Sequence, residues 1–221
     1  MYVQSNFLTE QEEQTLIENI DSVTWDHSQS GRRKQNYGPK CNFKRRKLQV
    51  GSFTGFPKFS QFVQEKFKKI EILRNFQTIE QCSLEYDPQR GASIDPHIDD
   101  CWVWGERIVT VNLIADSVLT MTYNKNVSKY NLDCVQTYPS VIDEKPYSLQ
   151  KYMNLDYSVR IPMPRRSLLV LYGSPRYDWE HQVLREDINT RRVCLAYREF
   201  TPPYLNNALG KQILEQADKF N

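Results

Sequence analysis

Residues 191–200 read RRVCLAYREF. Val193, Cys194, Leu195, Ala196 and Tyr197 make an apolar, β-prone run with an arginine at each end. On an extended chain successive side chains alternate between faces, so Arg192 and Arg198, an even number of residues apart, share one face of the strand. Working outward, the same texture recurs in QCSLEY at 81–86, RIVTVNLI at 107–114, VLTMTY at 118–123 and SLLVLY at 167–172. Turn-like dipeptides separate several of these runs, and no helix alternates regularly with them. A parallel α/β sheet is therefore disfavoured, and a mainly β fold, a sandwich or jelly roll with flanking helices, is expected.

The helices lie toward the ends. Thr9 with Glu12 reads as a capping box, and Leu16, Ile17 and Ile20 follow on one helical face, which predicts a helix over 10–21. Phe59, Phe62, Val63, Phe67 and Ile70 predict a second over 57–70, with Pro57 near its start. LGKQILEQADKF predicts a terminal helix, and 124–157, with Pro139 and Pro146, reads as an irregular insertion. The expected organisation is one compact unit: N-terminal helices and a basic segment over 1–75, then a β core over 76–221.

Composition narrows the class. The 221 residues, 39% hydrophobic, are enough for one substantial core. No apolar run approaches the roughly 18 to 20 residues of a membrane-spanning helix. The start MYVQSNFLTEQEE lacks the blocks of a signal peptide, so a soluble protein of the cytoplasm and nucleus, with no membrane partner, is expected. Five cysteines, at 41, 82, 101, 134 and 194, contain no CxxC pair, so neither a disulfide framework nor a zinc knuckle is indicated. Charge is concentrated: residues 31–47, GRRKQNYGPKCNFKRRK, hold eight Lys and Arg and no acid. The whole chain has 29 basic and 27 acidic residues, so the remainder is net acidic.

Of the three histidines, His27 reads as an ordinary polar residue. His97 opens His-Ile-Asp within DPHIDDCWVWGER, and if that segment is extended His97 and Asp99 can grip one ion. His181, in SPRYDWEHQV, can complete a facial triad of two imidazoles and a carboxylate. That donor set suits non-haem iron(II), because three coordination positions stay open, although a zinc hydrolase can use similar ligands. Alone, the HxD is more often a hydrogen-bonded surface histidine with a neighbouring acid. The arginines add the second clue: a buried guanidinium needs an anion and matches a carboxylate bidentately, as a dicarboxylate cosubstrate provides. Salt-bridged edge-strand arginines are the competing reading. The order HxD, His, Arg-x₅-Arg is more specific than any part of it.

With these residues in view, the chain resembles the AlkB-like 2-oxoglutarate dioxygenases, specifically the AlkB homologue four branch. The resemblance spans about residues 1–203 and is densest in SQSGRRKQNYGP, EYDPQRGASIDPHIDDCWVWGERIVTVNL, RSLLVLYG and RRVCLAYRE. It implies a double-stranded β-helix with iron(II) held by His97, Asp99 and His181, and 2-oxoglutarate and dioxygen as cosubstrates. It also implies that Arg192 pairs with the distal carboxylate of 2-oxoglutarate, that Arg198 lies near its metal-bound end, and that Tyr86 hydrogen-bonds it. The implied reaction oxidises an N-methyl carbon, which leaves as formaldehyde while 2-oxoglutarate becomes succinate and carbon dioxide. Two departures stand out: Cys194 replaces the family's usual Asn, and Cys101 stands where base-repair members carry an acid.

For substrate, the branch is associated with monomethyl-lysine in actin and has also been linked to N6-methyladenine in DNA. The basic segment 31–47 occupies the place of the family's substrate lid, where Arg32, Arg33 and Lys34 can contact phosphates and Tyr37 can stack a base. A solvated loop is the plainer alternative. Trp102 and Trp104 are candidates for the substrate mouth, with core packing expected for at least one. A methylated, actin-like protein is the preferred partner, a DNA or RNA the alternative, and a binding module without turnover the third reading.

Overall fold

The computed structural model describes residues 1–126, 128–138 and 157–221. In chain order the elements are β1 (Tyr2–Gln4), α1 (Glu10–Ser22), β2 (Asp26–His27), β3 (Arg33–Tyr37), β4 (Lys40–Asn42), β5 (Lys47–Gln49) and α2 (Gln61–Phe67). Then come β6 (Glu80–Tyr86), β7 (Ile94–His97), β8 (Trp104–Leu113), β9 (Ser117–Tyr123), β10 (Ser158–Met163) and β11 (Leu168–Leu171). The last are α3 (Ser174–Tyr177), β12 (Trp179–Val183), β13 (Arg192–Phe200), α4 (Pro202–Asn206) and α5 (Ala208–Ala217). A seven-stranded sheet in the order β1-β11-β8-β13-β6-β3-β2 accompanies a four-stranded sheet in the order β10-β9-β12-β7. All of these pairings are antiparallel, which gives the expected jelly roll, a double-stranded β-helix. No described helix is long and apolar enough to cross a membrane.

Side-chain alternation sorts the large sheet into two faces. Val193, Leu195 and Tyr197 of β13 join Val109, Val111, Leu168 and Val170 in a cluster with Leu16, Ile20, Val63 and Phe67 of the two N-terminal helices. Phe67 meets Tyr197 edge-on, with ring centroids 5.0 Å apart. The helices thus cover the outer face, each fully buried Leu or Ile contributing about 1.5–3 kcal/mol. Cys194, Leu169 and Leu171 turn the other way and pack with Leu119, Met121 and Ile161 of the small sheet. Between the two arginines the inner face of β13 carries only the small residues Cys194 and Ala196, which leaves room for a cavity.

Helix α1 has the capping box read from its sequence: Glu12 N–H donates to Thr9 Oγ1 at 3.1 Å, and Thr9 N–H to Glu12 Oε2 at 2.8 Å. The second helix is shorter than its apolar spacing suggests. After Pro57 comes one 3-10 turn, Lys58–Ser60, and the α-helix ends at Phe67, where Ile70 N–H bonds Phe67 O in a tight closing turn. The basic segment is not a solvated loop throughout. Its first part is β3, a strand paired with β6 along Arg33–Tyr37, and only Lys40–Gln49 forms a separate hairpin. The edge of β6 needs a hydrogen-bonding partner, and β3 supplies it, with Arg33 and Gln35 further held by side-chain hydrogen bonds. Arg33 pairs with Glu85, and Gln35 Nε2 donates to Ile20 O and Val23 O at the end of α1. Of the insertion expected over 124–157, residues 139–156 with both prolines lie outside the described residues.

Candidate metal centre

His97 closes β7 and His181 lies opposite it on β12, so the pairing of two short strands brings the imidazoles together with centroids 4.2 Å apart. Asp99 sits two residues beyond the end of β7, in the turn rather than on an extended strand, and the three side chains still converge. Their ligand atoms all lie within 4.8 Å of one another. His97 Nδ1 is 2.8 Å from Asp95 O; a carbonyl only accepts, so Nδ1 carries the proton and Nε2 is left with a free lone pair. Burial, with the neighbouring His97 imidazole adding to it, pushes His181 down to about 3, so it is neutral and able to ligate at physiological pH. Asp99 is buried too, which by itself favours the neutral acid, but the Arg198 guanidinium outweighs that and holds its carboxyl well below the usual range. Its Oδ1 accepts from Arg198 Nε at 2.8 Å. Oδ2, 3.5 Å from His181 Nε2, is buried without a hydrogen bond. Two imidazole nitrogens and an orphaned carboxylate oxygen that converge in this way fit an octahedral iron(II) with three positions open.

Arg192 starts β13 opposite Tyr86, and both are buried. Its Nε donates to Asn112 Oδ1 at 2.7 Å, and its guanidinium carbon lies 4.7 Å from the centroid of the Tyr86 ring. Nη1 is buried with no partner. An unpaired guanidinium nitrogen in a dry interior needs an anion, and a carboxylate of 2-oxoglutarate supplies one. Arg198, six residues on and on the same face, lies between Asp99 and Glu80 and over the Trp104 ring.

The cavity above the triad has a volume of about 660 Å³. It collects Arg32, Lys34, Trp102 and Trp104 from the residues singled out in the sequence, together with His97, Asp99 and Arg198. Trp104 is buried in the floor, whereas Trp102 lies half-buried in the wall with its indole N–H donating to Asp100 Oδ1 at 3.0 Å. Two of the expected substrate contacts lie outside this cavity: Arg33 is held by Glu85 on the outer face, and Tyr37 packs against the core. From β3 the cavity takes the even-numbered Lys34 and Asn36, whose side chains alternate with that of Arg33. Tyr86 lies in the interior beneath Arg192, with Arg32 5.9 Å from its ring centroid. A larger cavity of about 880 Å³, lined by Tyr2, Phe7 and Arg107 among others, contains none of these groups.

Sequence reasoning missed four side chains around the site. Asn112 orients Arg192, and its own Nδ2 is occupied by the carbonyls of Ala115, Met163 and Pro164. Arg176, fully buried in α3, donates to Asp99 O at 2.9 Å and to the carbonyls of Trp104 and Gly105, tying the metal-ligand turn to the segment leading into His181. Glu80 accepts from Arg198, and Asp100 projects from the cavity wall. A buried arginine after Gly-Ser-Pro has no local signature. Only Asp100, next to the motif, could have been picked out from the sequence.

No protein-family model matches the chain. It is 40% identical over 220 residues to human alpha-ketoglutarate-dependent dioxygenase alkB homolog 4, covering 97% of this chain and 73% of that protein. The mouse protein of the same name is 39% identical at the same coverage. A DNA N6-methyl adenine demethylase of Caenorhabditis elegans is 37% identical over 196 residues, 88% of this chain and 57% of that protein. Among solved structures, OsALKBH1 aligns with a TM-score of 0.51 at 12% identity, covering 90% of this chain and 97% of that one. A Pseudomonas putida prolyl-4-hydroxylase aligns with a TM-score of 0.50 at 13% identity, covering 90% and 91%. These two share the jelly-roll fold; the level of identity and coverage with the mammalian proteins shows that the chain belongs to the alkB homolog 4 group of alpha-ketoglutarate-dependent dioxygenases.

Proposed function

We propose that this chain is an oxidative N-demethylase whose preferred substrate is a methylated lysine in a folded, actin-like protein of the cytoplasm and nucleus. In this reading His97, Asp99 and His181 hold iron(II), Arg192 holds the distal carboxylate of 2-oxoglutarate, and Tyr86 lies beneath that guanidinium. The metal with its cosubstrates supplies the oxidant for the methyl carbon. The protein's own groups do the rest: Arg192 binds and orients the cosubstrate, and Arg198 fixes Asp99 through Oδ1.

The observation that carries the choice of substrate is Asp100. Its exposed carboxylate is set in the cavity wall by the Trp102 indole, and Phe43, at the tip of the Lys40–Gln49 hairpin, meets Trp102 edge-on with centroids 6.5 Å apart. A carboxylate beside two aromatic rings suits a cationic methylammonium, which a neutral methylated base does not resemble. Cys101, buried with its thiol donating to Asp99 O, offers no second acid.

A second reading, a nucleic-acid demethylase acting on N6-methyladenine, is favoured by Lys34, Lys44 and Arg46 along the same wall and by the activity named for the nematode relative. The two separate in one experiment. Methylated folded protein and methylated oligonucleotide are offered at matched concentrations across a salt series, with formaldehyde measured. A phosphate-tracking enzyme should weaken with a log–log slope of about −0.7 per neutralised phosphate on single strands. We expect turnover of the protein with milder salt dependence. Efficient turnover of the oligonucleotide alone would reverse the order of the two readings.

A further inference from the structure

Glu80 opens β6 directly opposite Arg198 of β13, its side chain buried on the cavity face. Arg198 Nη1 donates to Glu80 Oε2 at 2.5 Å while Nε donates to Asp99 Oδ1 at 2.8 Å. One guanidinium is therefore shared between two carboxylates, of which only Asp99 belongs to the proposed metal centre. We infer that Glu80 is a positioning residue for the metal: it fixes the Arg198 fork and shares its charge, so that Asp99 keeps Oδ2 free and electron-rich for the ion. This inference rests on the reading of His97, Asp99 and His181 as the ligands.

A buried arginine paired with Asp99 alone would draw the whole carboxylate toward itself, and the metal would have to contend with a full guanidinium charge for its only anionic ligand. A second carboxylate on the far side divides that charge and fixes the guanidinium plane, so the arginine engages one oxygen of Asp99 and not both. Glu80 is itself held in place. A Cβ at Gly38 would stand 2.9 Å from Glu80 Cγ and 3.1 Å from its Cα, so the backbone just after β3 lies directly against this residue. Trp104 closes another side, its ring centroid 5.8 Å from the Arg198 guanidinium carbon.

The test is Mn(II) binding by the full chain, followed by electron paramagnetic resonance, with fold checked by circular dichroism. Glu80→Gln keeps the size and an acceptor oxygen but removes the charge. Loss of a group behind a metal ligand typically weakens metal binding about 10- to 100-fold, and that is the drop expected here. Wild-type affinity in a folded Glu80→Gln protein would overturn the inference. The second arm uses Arg198→Met with and without Glu80→Gln. If Glu80 acts through Arg198, the added change should leave Mn(II) affinity unaltered, and a further loss in that background would overturn the mechanism even if Glu80→Gln alone failed to fold. His97→Ala separates the two levels of argument: wild type and His97→Ala binding Mn(II) equally would mean that the ligand assignment itself has failed.

Discussion

Arg192 Nε donates to Asn112 Oδ1 at 2.7 Å across the β8 and β13 pair, and this contact fixes a guanidinium whose Nη1 is left buried and unpaired. Arg192→Ala should therefore abolish tight 2-oxoglutarate binding while leaving metal binding intact, since truncating one partner of a buried charge pair costs about 3–5 kcal/mol. Asn112→Ala should cost less, about 1–3 kcal/mol, because the arginine remains but loses its orienting acceptor. Calorimetric titration with 2-oxoglutarate in the presence of Mn(II) reads both. Equal affinity in all three proteins would place the carboxylate elsewhere.

His97→Ala, Asp99→Ala and His181→Ala should each end metal-dependent succinate formation, because each removes one of three protein ligands. A chelator should do the same to the wild type, and added iron(II) should restore it. Succinate assayed by mass spectrometry on folded variants is the measure, and full activity in any of them would refute the triad.

Arg176 should matter for the fold as well as the site. It is 1% exposed and hydrogen-bonds three backbone carbonyls, those of Asp99, Trp104 and Gly105. Arg176→Ala leaves those acceptors unsatisfied and opens a void, together costing about 2–5 kcal/mol. Urea unfolding should register that loss, and metal affinity should fall with it as the Asp99 turn loosens. An unchanged midpoint would show that the turn is held by other means.

Acid should expose the role of Glu85, which receives Arg33, Arg90 and Arg191 on the outer face of the large sheet. Burial alone would raise its pKa, but the hydrogen bonds and charges of Arg33 and Arg191 outweigh it and hold the carboxyl at about 2. A folded pKa below the unfolded value means that the unfolded chain takes up the proton first. The stabilisation is complete above about pH 4.5 and is lost as pH falls toward 2. Glu85→Gln should lower stability at neutral pH and flatten its pH dependence between those limits. Parallel slopes for the two proteins in that window would contradict the assignment.

Much of this architecture was legible from short-range pattern. The capping box of α1, the five long strand runs and the alternation that puts Arg192 and Arg198 on one face need only local periodicity, and the structure has all of them. What escaped was set by distant partners. Nothing in RRKQNY marks it as a strand, because its β character comes from the edge of β6, and the position of Arg33 away from the cavity was not legible for that reason. Arg176, Asn112 and Glu80 gain their roles from residues 77, 80 and 118 positions away in the chain. His97, Asp99 and His181 were readable because iron chemistry requires a rare set of side chains, whereas groups that merely hold other groups are drawn from common ones.

Strand β7 is four residues long and stands last in the four-stranded sheet, where among the described residues it pairs with β12 alone. Its terminal residue is His97, and the residue facing it on β12 is His181. An ion bound by both would stitch a short border strand to β12, at a place where backbone pairing by itself is weak and fraying is easiest. Iron supply would then govern more than turnover: in a starved cell the border would open first, exposing backbone to proteases, and the lifetime of the enzyme would follow the metal that makes it active.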